Sequence, residues 1–140
     1  MIKGGVGEQL KMFMTPDELK SYAEPMDRAD IETAEGMWKR KERESKAPEH
    51  WGYHGGGVYD SIAKEGVTSH VEVWHDRQGP ALSDGHHRVA AAAAVQRDTG
   101  RQQFIPIEHE AANASSSWDP LHGYDRRYPQ NVRKGWAKGD

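Results

Sequence analysis

The chain contains no cysteine, which excludes disulfides, thiolate catalysis and cysteine-ligated zinc together. Any metal would have to be held by His, Asp or Glu. No apolar run approaches the ~20 residues needed to cross a bilayer, and the opening MIKGGVGEQL lacks the apolar middle of a secretory signal. Both absences read as a cytoplasmic protein with no membrane association. A large positive excess is missing too: 19 Lys and Arg stand against 22 Asp and Glu, for a net charge of -3. That balance argues against coating duplex nucleic acid through bulk electrostatics. With 35% hydrophobic residues, 29% charged residues and a mean hydropathy of -0.96, the core has to be small and the hydrophilic remainder large.

What is present fits one domain, since 140 residues leave little room for two. Residues 1–9 read as a flexible, glycine-rich lead, 10–110 as the folded domain, and 111–140 as a basic aromatic tail. Thr15-Pro16-Asp17-Glu18 has the spacing of a capping box and predicts a short helix to about Tyr22. Ile31, Ala34, Met37 and Trp38 predict a second, amphipathic helix, whose charged stretch from Lys39 to Glu44 is expected to be solvated. A third helix is predicted from Val58 to Glu65, with Gly66 after it. Val71 and Val73 alternate with Glu72 and Trp74 as in a half-buried strand, and the turn Asp76 to Pro80 returns the chain as a hairpin. The alanine run at 90–94 favours a helix from about Asp84 to Asp98, closed by Gly100. Phe104 to Ile107 reads as a strand that Pro106 confines to an edge or to its own end. These elements give an α+β fold: a small mixed sheet packed by helices.

The chemistry concentrates at Asp84-Gly85-His86-His87-Arg88, where a strand passes through a glycine turn into a helix. Three cationic or potentially cationic side chains then occupy the first helical turn, where the exposed N–H groups already carry partial positive charge. An anion held by backbone N–H groups, imidazoles and a guanidinium offsets that crowding, and phosphate fits best. Gly85 would let the backbone approach the anion, and Asp84 would cap the helix or orient an imidazole. The ordinary alternative is an N-cap, a turn glycine and two solvated histidines. Glu108 and His109, past the last strand, are further candidates for the same site.

The ordered series Tyr59-Asp60-Ser61-Ile62, Gly66-Val67, Val71-Glu72-Val73, Asp84-Gly85-His86-His87-Arg88-Val89-Ala90 and Ile105-Pro106-Ile107 resembles the ParB N-terminal domain and sulfiredoxin superfamily, in its DGHHR-type branch. The resemblance spans about residues 55–110. It implies a ParB/sulfiredoxin-like fold in which Asp84, Gly85, His86, His87 and Arg88 cradle the phosphates of a nucleotide or nucleic acid, with Ser69 near the ligand. It also implies nuclease or nucleotide hydrolase or phosphotransferase activity with His86, His87 and Arg88 as catalytic groups, and Mg²⁺ or Mn²⁺ accompanying a nucleoside triphosphate. His86 stands where sulfiredoxins carry cysteine, which excludes thiol repair. The glutamate of the ParB Gly-Glu-Arg-Arg turn is replaced by histidine, so ParB-type CTP hydrolysis is not implied. The rival reading is a noncatalytic regulatory module whose charged 39–46 stretch or tail engages a protein partner.

Two further features stand apart. His50 and His54 have a helical ligand spacing, but the surrounding glycines argue against a helix and no third ligand is evident, so no metal site is assigned. In the tail, Trp118, Tyr124, Tyr128 and Trp136 interleave with Arg126, Arg127, Arg133 and Lys134. Such a segment could stack bases and pair phosphates of single-stranded nucleic acid, but more often it is solvated or docks on its own domain through Trp118, Tyr128 and Trp136.

Overall fold

The structure, a computed structural model, describes residues 10–48, 55–76 and 78–111. Among them the chain is α+β: four helices and one five-stranded mixed sheet. The lead at 1–9, the His50/His54 pair and the tail from residue 112 lie outside the described residues.

Helix α1 (Pro16–Tyr22) forms where the capping box places it. Thr15 Oγ1 accepts the Glu18 N–H at 3.2 Å, and Glu18 Oε1 accepts the Thr15 N–H at 2.9 Å. Helix α2 (Ala34–Ser45) starts one turn later than its apolar run. Thr33 caps it through the Gly36 N–H, and Ile31 stays outside, 98% exposed. The expectation of a solvated charged end is corrected here. Met37, Lys41 and Ser45 recur every four residues on one face, and all three are buried. Helix α3 (Val58–Glu65) buries Ile62, and α4 (His86–Thr99) buries Val89, Val95 and most of its alanines.

The long strands β3 (Val71–Asp76) and β4 (Gly79–Asp84) form the predicted antiparallel hairpin. After the α4 crossover, β5 (Ile105–Ala111) runs parallel to β3. Two-residue strands β1 (Phe13–Met14) and β2 (Glu24–Pro25) extend the sheet to the order β1-β5-β3-β4-β2. The sequence does not announce β1 or β2, because two residues are too few to show alternation. Pro106 lies within a strand that has neighbours on both sides. The β5 ladder to β3 starts only at Ile107, opposite Val71, so Pro106 faces just the short β1. Its missing N–H therefore costs no bond in the long ladder.

The alanine face of α4 lies on Val71, Val73, Leu82, Ile105 and Ile107, and α1, α2 and α3 pack around α4 in turn. Small side chains permit that close approach. The consequence is positional: α2 runs alongside the start of α4, and the strand end at Asp84 opens between them.

Candidate functional site

The cap of α4 is Gly85, not Asp84. Asp84 ends β4, and Gly85 takes φ 100°, ψ 18°; among the described residues no side chain accepts from the first helical turn. A Cβ at Gly85 would lie 2.5 Å from Val71 Cγ1 and 3.1 Å from Arg88 Nη1, so conformation and space both demand glycine. The helix bonds begin with Val89 N–H donating to the Gly85 carbonyl at 3.0 Å, and no acidic residue occupies the first turn. The positive pole of α4, which no described side chain caps, therefore lines a cleft of about 760 Å³.

The three side chains of that turn each have a partner inside the protein. His86 is buried; its Nε2 accepts the Met26 N–H at 3.2 Å, and its ring lies 5.9 Å from that of Trp38. Burial pushes its pKa down to about 4, so the ring is neutral near pH 7 with its proton on Nδ1. His87 Nε2 lies 2.7 Å from Glu44 Oε1. Burial lowers the His87 pKa against the raising effect of Glu44. The Glu44 carboxyl in turn is desolvated upward, yet ends below its ordinary value through the His87 hydrogen bond and the nearby His87, Lys41 and Arg40 charges. A neutral imidazole beside an ionised carboxylate must donate from Nε2, which leaves His87 Nδ1 as an acceptor. Gly55 lies flat against this ring, since a Cβ there would come within 2.2 Å of His87 Cγ. Arg88 Nη1 donates to the His70 carbonyl at 2.8 Å, tying α4 to the residue before β3.

Sequence reasoning missed the other wall. Arg40, Lys41 and Glu44 of α2 line the same cleft, facing Ser83 and Asp84 at the end of β4. Lys41, 5% exposed, pairs with Asp27. That carboxyl is held below its usual value mainly by the Lys41 hydrogen bond, against desolvation. Arg40 forks onto Glu32 at 2.9 Å through Nε and Nη2, and Nη2 also donates to the Asp27 carbonyl at 3.0 Å. The four-residue spacing of Met37, Lys41 and Ser45 was the available signal, and a lysine at such a position is ordinarily read as solvated.

The remaining candidates lie elsewhere. Ser69 is exposed in the loop before β3 and is not among the residues lining the cleft. His109 is buried in the core and does not reach the α4 turn. Its Nε2 lies 2.8 Å from the Lys11 carbonyl and its Nδ1 2.9 Å from His75 Nε2, with the edge of Tyr22 nearby. A carbonyl only accepts, so Nε2 carries the His109 proton and His75 donates to Nδ1. Glu108 sits beside Glu72 in the β3–β5 ladder. Among the described residues no group of three His, Asp or Glu side chains is placed to hold a metal ion, and no helix is long and apolar enough to cross a membrane.

No protein-family model, curated protein or solved structure matches this chain.

Proposed function

We propose that the cleft at the start of α4 binds the phosphate of a nucleotide or of nucleic acid. The single observation that carries this reading is the glycine-capped helix pole. Among the described residues no side chain accepts from the N–H groups of the first turn, and its residues line a cleft together with Lys41 and Arg40. A phosphate there would accept backbone N–H bonds and draw on the Arg88 guanidinium. The resemblance to the ParB/sulfiredoxin superfamily points to the same turn, from its own motif.

The histidines divide in role. His86 shares the Met26 N–H with the Leu82 carbonyl and lies against the Trp38 ring, so its part is to hold the β2–α2 connection against α4. His87, oriented by Glu44 with Nδ1 left to accept, is the group suited to moving a proton if the site performs phosphoryl transfer or phosphodiester hydrolysis. The described carboxylates do not make a metal cage, so Mg²⁺ or Mn²⁺ would depend largely on the nucleotide's own phosphates. No step is assigned to it.

The second reading, a noncatalytic binding module, is favoured by one fact: His86, His87 and Arg88 all have intramolecular partners. Thermal denaturation with inorganic phosphate and a nucleotide panel, with and without Mg²⁺, tests the binding claim. A bound ligand raises the melting temperature in a concentration-dependent way. Absence of any shift at millimolar ligand would reject phosphate binding. Binding without turnover, and no change in ligand affinity on His87→Gln, would favour the module.

A further inference from the structure

The helices cover one face of the sheet, and the other face has its own character. Along β3, Val71, Val73 and His75 are buried on the helix-covered side, while Glu72, Trp74 and Asp76 point the opposite way, with Trp74 38% exposed. The register sets Glu72 beside Glu108 and Trp74 beside Glu110, and Phe13, 51% exposed, is opposite Pro106. Trp74 lies along its strand, donating Nε1–H to Glu72 Oε1 at 2.7 Å, and Ser83 Oγ donates to the same oxygen at 2.9 Å. The result is an aromatic surface carrying four carboxylates, Glu72, Asp76, Glu108 and Glu110, with Glu72 and Glu108 neighbours in the ladder.

The chain itself supplies a matching segment. Residues 118–138 carry five Lys or Arg against two Asp, with Trp118, Tyr124, Tyr128 and Trp136 among them. Ala111, the last residue of β5, immediately follows Glu110 and pairs with His75, so the tail leaves from the rim of this face. The 29 residues after Ala111 could extend to roughly 95 Å, whereas five strands span only about 20 Å. Length, starting point and charge all suit a return across the sheet.

We propose that the sheet face formed by Glu72, Trp74, Glu108 and Glu110 is the docking surface for the chain's own basic aromatic segment, residues 118–138. Arginine and lysine side chains meet the carboxylates, and tail aromatics pack beside Trp74 and Phe13. The second layer that the sheet lacks among its described residues then comes from the same polypeptide.

Zero-length carbodiimide coupling of the full-length protein, read by mass spectrometry, tests this directly, because it joins a carboxylate to a lysine amine only at contact. The expected result is intramolecular links from Glu72, Glu108 or Glu110 to Lys134 or Lys138 in the monomer fraction. Links confined to a dimer fraction would assign the face to a second copy and overturn the proposal. So would equal coupling of those lysines to helix-side acids such as Glu35 and Asp60. In parallel, the full-length triple variant Glu72→Gln, Glu108→Gln, Glu110→Gln should be cut by trypsin after Arg126, Arg127 or Arg133 at least about fivefold faster than the parent. An unchanged rate in a variant that still melts cooperatively would also overturn it.

Discussion

Gly85 combines a φ of 100° with a backbone pressed against Val71, and neither condition tolerates a side chain. Gly85→Ala is expected to cost at least about 2 kcal/mol, from left-handed strain plus overpacking, measured by urea denaturation. A neutral outcome would mean that the turn relaxes freely. The buried histidines set the pH response. His86 and His109 have folded pKa values pushed down to about 4 by burial, whereas an unfolded histidine titrates near ~6.5. The unfolded chain therefore takes up protons that the native one refuses. Stability is complete above about pH 6.5 and falls as pH drops toward 4, by on the order of 3 kcal/mol per histidine. Denaturation midpoints taken from pH 7.5 to 4.5 should decline over that window, and His109→Gln should flatten the decline. A pH-independent midpoint would show that these rings are not buried as neutral species.

At the scale of elements, the capping box of α1 is local enough to be read directly, and Thr15→Ala should cost about 1 kcal/mol in thermal unfolding. Loss of less than a few tenths would mean that tertiary contacts, not the cap, hold α1. The hairpin, the alanine-rich α4 and the glycine turn were legible for the same reason: their signals lie within a few residues of one another. β1 and β2 were not, since their pairing with β5 and β4 is created by distant chain and leaves no local pattern. Helix α2 was legible as a helix, and Met37 and Trp38 of its expected face do turn inward, but the continuation of that face through Lys41 and Ser45 was not legible. The burial of Lys41 depends on Asp27, fourteen positions away, and on the approach of α4.

For the molecule as a whole, the fold class followed from the order of elements, while the site was half visible. The α4 turn carried its chemistry in consecutive residues; the wall contributed by α2 exists only through packing. That wall changes the electrostatics, because Arg40, Lys41 and Arg88 share the cleft with Asp27, Glu44 and Asp84. On the proposed reading, an incoming phosphate would have to compete with Asp27 for Lys41. Asp27→Asn should therefore tighten phosphate binding several-fold, at about 1 kcal/mol, in isothermal titration, while lowering stability. Weaker binding in that variant would place Asp27 on the ligand's side. The most direct test of the central claim is a backbone-amide NMR titration of the full-length protein with inorganic phosphate. The account predicts saturable, downfield shifts concentrated at the N–H groups of His86, His87 and Arg88. Saturation with those three amides unmoved, or no saturable shift at all, would contradict it.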